Sequence, residues 1–268
     1  MRLPLYLVDA FAAWPFEGNP AAVVPLDGVG WLPDATLQAM AAEHNLSETA
    51  FLVPEGEGAW HLRWFTPLSE VEMCGHATLA SAFVLATERG QPGPFAFRTL
   101  SGELRVEREE GGRLVLDFPA MRAEPLPAPP PGLAEALGAA PREVWRARDL
   151  ICLMESPAQV AALAPDHGAL AALPGPERVI ATAAGGAAGE DATSRYFAVK
   201  VGVPEDPVTG TAHVQLVPFW AARLGKTALV CRQASRRGGT LWCELRGDRV
   251  RMAGTAVLYA RGEVHLPH

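Results

Sequence analysis

The chain has 268 residues, with 23 Lys and Arg against 30 Asp and Glu, a formal net charge of −7, and 49% hydrophobic residues. A nucleic-acid-binding protein gains affinity when its Lys and Arg displace the counterions of the phosphates, so an acidic chain argues against that class. So large an apolar fraction argues against intrinsic disorder. The length exceeds the ~100–150 residues that are most common for one domain, so two domains are expected.

The N-terminus and the cysteines indicate a cytoplasmic protein. Residues 1–9 are predicted to form a strand and not a signal peptide, because Asp9 ends a short apolar run without a small-residue cleavage site. No run of ~18 apolar residues predicts a membrane span. The four cysteines form no CxxC pair and are expected to be reduced thiols.

Two apolar segments of equal length stand at an offset of 135 residues. One extends from Gly75 to Gly90 and the other from Gly210 to Gly225. Each is apolar around most of its circumference, which is typical of a helix that is buried on all sides. Pro218 is expected to kink the second helix, because a proline removes a backbone hydrogen bond.

Alternating apolar and polar residues follow each predicted helix and indicate hairpins. They occupy 103–107 and 114–118 in the first half, and 241–245 and 250–252 in the second. Each half is therefore predicted to form a strand, a central buried helix and a hairpin of an enclosing, curved antiparallel sheet. The proline-rich segment after residue 119 is predicted to link domains at 1–119 and 120–256, with the C-terminal strand, about 257–268, as a candidate to return to the first.

The helix starts are candidate anion-binding sites. Gly75-His76 and Gly210-Thr211 open the two helices, where backbone N–H groups lack intrahelical partners and the helix dipole is positive. Two such ends facing each other would hold a carboxylate. Ordinary helix capping is the alternative interpretation.

Glu48 and Asp206 are the candidate acids. Glu48 starts a buried strand, and an apolar surround disfavours the charged form of a carboxylate, which suits proton transfer near neutral pH. An exposed acid at a strand start is the alternative. Asp206 precedes the second helix, where an acid is usually a cap or a dipole partner.

His76 and Cys74 adjoin the first helix start. The positive end of the helix is expected to lower the pKa of His76 and to favour neutral imidazole, and the same effect would lower the pKa of Cys74. Thr209 occupies the position of Cys74 in the second half and cannot act as a base, so a symmetric two-thiol racemase is disfavoured. No metal site is predicted, since no HExxH or closely spaced His/Cys set occurs, and no GxGxxG or P-loop predicts a nucleotide cofactor.

Five stretches in order resemble the phenazine biosynthesis PhzF-like isomerase family. They are DAFAAWPFEGNPAAVV at 9–24, NLSETAFLV at 45–53, RWFTPLSEVEMCGHATLASAFVL at 63–85, EDPVTGTAH at 205–213 and RQASRRGGTL at 232–241. The resemblance implies an α+β fold of two pseudo-symmetric domains, each a barrel-like, mostly antiparallel sheet around a central helix, as in diaminopimelate epimerase. It further implies a homodimer, an active site in the interdomain cleft, and cofactor-free isomerisation of a small carboxylate substrate.

The resemblance also assigns roles to residues. Glu48 matches the catalytic proton-shuttling acid, and His76 and Asp206 match the supporting catalytic residues. The residues expected to bind substrate are Ser47, Cys74, Gly75, Gly210 and Thr211. Two alternatives remain at this point: an epimerase or racemase of an amino or hydroxy acid, and a non-catalytic carboxylate-binding protein on the same scaffold.

Overall fold

The computed structural model describes residues 1–56, 58–175 and 178–267. They divide into two compact units, one holding Met1–Asp117 and the segment from Ala253 onward, the other Phe118–Met252. Residue 268, the last of the predicted C-terminal strand, lies outside the described residues. None of the described helices is long and apolar enough to cross a membrane.

The first unit is a mixed sheet with two helices. Its strands are β1 (Arg2–Ala10), β2 (Asn19–Pro25), β3 (Glu48–Gly56), β4 (Ala59–Phe65), β5 (Glu70–Val71), β6 (Phe95–Thr99), β7 (Gly102–Arg108), β8 (Leu114–Pro119), which carries the chain into the second unit, and the C-terminal β18 (Ala256–His265). Helix α1 is Asp34–His44, and α2 is Gly75–Phe83, extended by a π-helical turn, Val84–Glu88. Helix α2 packs against β1, β2, β3, β7 and β18 and is buried from Gly75 to Ala82.

The second unit has the same plan with more helices. Its strands are β9 (Glu124–Pro125), β10 (Glu143–Arg146), β11 (Leu150–Leu153), β12 (Val179–Ala184), β13 (Ala192–Ala198), β14 (Val203–Asp206), β15 (Ala228–Gln233), β16 (Gly239–Arg246) and β17 (Arg249–Gly254). Its helices are α3 (Leu133–Leu137), α4 (Pro157–Ala162), α5 (His167–Ala172) and α6 (Gly210–Leu224), with a 3₁₀ turn at Val199–Val201.

Strand pairing repeats from one unit to the other. The order in the first unit is β1–β2 antiparallel, β2–β3 parallel, β3–β4 and β4–β5 antiparallel, β4–β6 parallel and β6–β7 antiparallel. Strands β10 to β16 repeat this order step by step. The predicted α+β fold, one architecture present twice with a central helix in each copy, is confirmed.

Helix α6 runs without interruption through Pro218. A proline has no N–H to donate to the carbonyl four residues earlier, which here belongs to Val214. That carbonyl accepts a 2.9 Å hydrogen bond from the backbone N–H of Met121 instead. A segment that the sequence identified only as a linker therefore supplies the hydrogen bond that the proline removes.

Candidate active site

A tight turn after α1 positions Glu48. Asn45 ends the helix in the left-handed conformation (φ 50°, ψ 37°), and its N–H bonds to Ala41 O at 3.1 Å. Asn adopts this conformation more readily than most residues. The chain reverses through Leu46 and Ser47, so that Glu48 becomes the first residue of β3, beside Ala21 of β2.

Strand direction brings His76 to the same edge of the sheet. Strand β4 is antiparallel to β3, with Phe65 opposite Thr49, so β4 ends where β3 begins. The chain then passes through β5 to Cys74, which is extended (φ −146°, ψ 104°), and α2 begins at Gly75. This edge therefore holds the predicted residues of the first half: Ser47, Glu48, Cys74, Gly75 and His76.

Glu48, Cys74 and His76 form a contiguous buried group, which we call the acid–imidazole–thiol cluster. His76 Nε2 lies 3.1 Å from Glu48 Oε2, and His76 Nδ1 lies 3.5 Å from Cys74 Sγ. The first contact is close enough for an ion pair but is not aligned as a hydrogen bond. Within the described part of the chain, Glu48 Oε2 and His76 Nε2 are buried without a hydrogen-bond partner. Both atoms are therefore left for a ligand, because buried polar groups are ordinarily paired.

The expected direction of the pKa of His76 is wrong. Burial by itself lowers the pKa of this imidazole, but the neighbouring Cys74 sulfur and the Glu48 carboxylate raise it, and the net result is a pKa well above the ordinary value. An acid in contact outweighs a helix end, because a full charge at 3.1 Å is stronger than a partial one. Contact with Glu48 therefore favours the protonated form of His76.

The expectation for Cys74 is also wrong. Burial, reinforced by the Glu48 carboxylate, raises the pKa of the Cys74 thiol to about 11. The sulfur is therefore a neutral thiol near pH 7, a poor base and a poor nucleophile.

Asp206 and Thr209 lie immediately before α6 in the second unit. The Thr209 hydroxyl donates to Asp206 Oδ2. Gln233 Nε2 donates to the Asp206 carbonyl at 2.7 Å and to Thr209 Oγ1 at 3.1 Å, and Gln233 Oε1 accepts from Thr209 N at 2.8 Å. The hydroxyl of Thr209 is thus fully occupied, whereas Cys74 contacts an imidazole.

The sequence analysis did not single out Gln233, although one of the quoted stretches contains it. The signal was available, because Leu229 and Cys231 set the apolar face of β15 and Gln233 continues that face with a polar side chain. Gln233 is fully buried. A buried amide of this kind must find partners, and it finds them at the start of α6.

His213 of α6 contrasts with His76. Its Nδ1 lies 2.8 Å from the Thr209 carbonyl, which can only accept, so Nδ1 carries the proton. Burial lowers the pKa of His213 to about 4, so this imidazole is neutral at pH 7. Gly210 and Thr211 open α6, with Gly210 buried and Thr211 partly exposed.

The acid–imidazole–thiol cluster also has the donor set of a metal site. One ligand atom from each residue lies within 4.8 Å of the others. Thiolate, imidazole and carboxylate together suit a cation such as Zn²⁺. Sequence spacing could not identify this group, because Glu48 is distant along the chain from Cys74 and His76.

A cavity of about 600 Å³ lies elsewhere in the second unit. Its walls come from the proline-rich segment 125–133 and from residues 140–145. It contains none of the predicted site residues, so the site is defined by side-chain geometry and not by the volume of a cavity.

Several known proteins resemble this chain in sequence and in fold. A family model described as phenazine biosynthesis-like protein, PhzC-PhzF, matches residues 8–262. An uncharacterised isomerase of Pseudomonas aeruginosa is 51% identical over 267 residues, covering 99% of this chain and 100% of that protein. A PhzF-family phenazine biosynthesis protein from Enterococcus faecalis has a crystal structure that is 45% identical, with a TM-score of 0.94 over 99% of this chain and 100% of its own. A probable proline racemase from Agrobacterium radiobacter, 13% identical with a TM-score of 0.64 over 99% of this chain and 93% of its own, shares the fold alone.

Proposed function

Because the chain belongs to the PhzC-PhzF family of phenazine biosynthesis-like proteins, we propose that it is a cofactor-independent isomerase that relocates a proton on a small carboxylate substrate, with Glu48 as both base and acid. The observation that carries the proposal is the buried contact between Glu48 Oε2 and His76 Nε2, 3.1 Å apart and without a hydrogen-bond partner among the described residues. The carboxylate can accept a proton from a bound substrate and return it, and the adjacent protonated imidazole can stabilise the negative charge that moves between them.

The proposed cycle is balanced in protons and needs no oxidant. The Glu48 carboxylate removes a proton from an activated carbon of the substrate, and the electron pair spreads into the conjugated system. Glu48, now protonated, delivers the same proton to another carbon. His76 keeps its positive charge, which stabilises the Glu48 carboxylate at the start and the anionic substrate in the middle.

The remaining predicted residues have binding and orienting roles. Backbone N–H groups of Gly75, His76, Gly210 and Thr211 would hold the substrate carboxylate, because the first amides of a helix have no internal partner. Ser47 and Cys74 would border the substrate beside Glu48. Asp206, tied to Thr209, would orient it. That both sets of residues serve one substrate stays a prediction.

The test is deuterium uptake in heavy water. With candidate carboxylates supplied, the wild-type protein should exchange a substrate carbon-bound proton, and Glu48→Gln should do so ~10²–10⁴-fold more slowly. Glu43→Gln is the matched control, since Glu43 is an exposed acid of α1. Isomerisation at the wild-type rate by a folded, ligand-binding Glu48→Gln protein would contradict the proposal.

An epimerase is the second candidate, favoured by the contact between Cys74 and His76. A two-base epimerase needs a second proton carrier, and the counterpart of Cys74 is Thr209, whose hydroxyl is occupied by Asp206 and Gln233. Such an enzyme would exchange a proton at a stereocentre and lose activity in Cys74→Ala to the same degree as in Glu48→Gln. A carboxylate-binding protein without catalysis would bind ligand and take up no deuterium.

Family membership also supports a homodimer. Sedimentation equilibrium should then give twice the chain mass of 28.5 kDa. A mass of one chain at micromolar concentration would contradict the assembly and leave the chemistry of Glu48 untouched.

A further inference from the structure

Arg148, between β10 and β11, reaches the first turn of α6. Its Nη2 lies 3.3 Å from Thr211 Oγ1 and 3.4 Å from the Tyr196 hydroxyl, and its Nε lies 3.3 Å from Asp149 Oδ1. The side chain is 38% exposed, whereas Asp149 beneath it is 1% exposed. The guanidinium therefore lies over a buried carboxylate and beside a residue that was predicted to bind substrate.

Arg148 is one of several partners of Asp149. Gln215 Nε2 donates to Asp149 Oδ2 at 2.7 Å, and the Tyr196 hydroxyl donates to the same oxygen at 3.2 Å. Burial raises the pKa of Tyr196, so this hydroxyl keeps its proton and remains a donor. Arg148 Nε donates to the other oxygen, Oδ1, at 3.3 Å, so this ion pair uses one nitrogen of the guanidinium and not the two parallel N–H groups of a bidentate pair.

Nη1 is the terminal nitrogen of Arg148 that is available to a ligand. Nη2 uses its two N–H groups on the hydroxyls of Tyr196 and Thr211, whereas Nη1 makes no hydrogen bond to any residue that the structure describes. The N–H groups of Nη1 can donate to a carboxylate oxygen in a charge-assisted hydrogen bond.

The hydroxyl of Thr211 supports the same conclusion. Oγ1 accepts from Arg148 Nη2, so its own proton points away from the guanidinium, and it donates to none of the residues in the described ranges. A group that accepts from both Arg148 and Thr211 would complete the arrangement. A carboxylate oxygen can accept from both at once.

Comparison of the two units places an arginine at the position of Glu48. Val179 pairs with Phe197 as Thr49 pairs with Phe65, so Arg178 of the second unit stands where Glu48 stands in the first. Thr211 stands in the place of His76, since each is the second residue of its helix. The positive charges of both Arg148 and Arg178 act on Tyr196. The positions of Glu48 and His76 in the first copy are thus occupied by an arginine and a threonine in the second.

We propose that Arg148 binds the carboxylate of the substrate, together with the hydroxyl of Thr211, and thereby sets the preference of the enzyme for an anionic substrate. The assignment rests on the proposed function for the identity of the substrate as a carboxylate, and on Arg148 itself for how that carboxylate is held.

The test uses benzoate as an anionic probe and benzamide as its neutral counterpart, titrated into the full-length protein and followed by ligand-observed NMR. Wild type should bind benzoate more tightly than benzamide. Arg148→Gln should lower the affinity for benzoate at least ~10-fold, because charge-assisted hydrogen bonds are lost, and should leave the affinity for benzamide unchanged. The benzoate affinity of Arg148→Lys should lie between those of wild type and Arg148→Gln, because an ammonium keeps the positive charge but lacks the planar donor geometry of a guanidinium.

Arg142→Gln is the matched control. Arg142 is an exposed arginine of the same unit, paired with Glu155, and its loss should leave both affinities unchanged. Equal benzoate affinity in wild type, Arg148→Gln and Arg148→Lys would overturn the assignment, as would a wild type that binds benzoate no better than benzamide. A purely structural arginine would weaken both probes alike.

The two proposals fail in different ways. If benzoate binding depends on Arg148 but no substrate takes up deuterium through Glu48, the proposed isomerase activity is contradicted and the proposed carboxylate site is supported. If Glu48-dependent exchange is observed and Arg148→Gln leaves KM for that substrate unchanged, the carboxylate site is wrong and the isomerase stands.

Discussion

His76 touches two acids at once, a thiol on one ring nitrogen and a carboxylate on the other. The two contacts, 3.5 Å and 3.1 Å, oppose the effect of burial and raise the pKa of the imidazole. The protonated ring in turn stabilises the charge of Glu48. The protonated imidazole of His76 and the carboxylate of Glu48 are therefore opposite charges in a buried place, where their mutual attraction is less screened by water than on the surface.

The pKa of His76 should follow Glu48. Imidazole NMR titration should show wild-type His76 protonated well above pH 6.5, and Glu48→Gln should lower that pKa, because burial remains while one raising partner is lost. Since the pKa is raised on folding, the stability it contributes is fully present below the unfolded pKa of ~6.5 and lost as pH rises through the folded value. A Glu48→Gln protein with an unchanged His76 titration would contradict this coupling; Glu43→Gln should leave it unchanged.

Cys74 should titrate far above neutral pH. The thiolate absorbs near 240 nm, and the difference between wild type and Cys74→Ser should appear as pH rises toward about 11, the value to which burial and Glu48 raise the pKa of this thiol. No difference is expected at pH 8. A thiolate signal at pH 7 would contradict this expectation and favour the epimerase over the isomerase.

His76 and Cys74 also show what the sequence could not predict. The helix start was predicted at the right residue, Gly75, but the neighbours that set the two pKa values were not. One of the two groups that raise the pKa of His76 is Glu48, which arrives from another strand, and no local pattern gives the distance between them. The resemblance supplied Glu48 as the acid, but only the structure shows that burial and Glu48 raise the pKa of Cys74 and that Cys74 and Glu48 raise the pKa of His76.

An equivalent ion pair precedes each central helix. Arg63 donates to Glu70 through Nε and Nη2, both at 2.7 Å. Arg195 donates to Glu205 through the same two nitrogens, at 2.7 and 2.8 Å. Each Glu stands four residues before the residue that precedes its helix, Cys74 or Thr209. These pairs hold the chain in the path that leads to the helix start.

Replacement of Glu205 should destabilise the folded protein. Glu205→Gln leaves Arg195, only 12% exposed, without its charge partner, and should lower the free energy of unfolding by about 2–3 kcal/mol in urea titration, below the range for fully buried pairs because Glu205 is 20% exposed. Glu103→Gln is the control, because its pair with Arg105 is exposed and screened by water and should contribute much less to stability. Equal effects of the two substitutions would show that the buried pair has no special role.

Pro218 should be well tolerated for a residue inside a helix. An interior proline ordinarily costs ~3 kcal/mol, but here the carbonyl of Val214 already bonds to Met121 N. Pro218→Ala should therefore change the free energy of unfolding by less than about 1 kcal/mol. A gain near 3 kcal/mol in urea titration would show that Met121 does not offset the loss. Sequence reasoning identified the proline as a defect of the helix, because the compensating N–H comes from a separate segment.

The duplication of the fold was visible in the sequence because helix lengths and the Gly positions repeat. The hairpins and both helix starts followed from local periodicity. The parallel pairs β2–β3 and β11–β12 did not, because a parallel pair joins strands separated by a crossover and leaves no alternating signature between them.

The first unit should depend on the last strand. Deletion of 256–268 removes β18, which pairs with β1 along Arg2–Ala10, and leaves β1 as an open edge. Hydrogen exchange should then become fast across β1 to β7 while amides of the second unit stay protected. Deletion of 267–268 alone is the control and should change neither. Full protection of β1 without β18 would show that this edge is dispensable.

The pairing of β1 with β18 has a consequence for synthesis. β1 is synthesised before β18, so these two strands can pair only after Ala256–His265 has emerged from the ribosome. The residues of the second unit are contiguous and can pair earlier. The first unit is therefore expected to complete its sheet after the second.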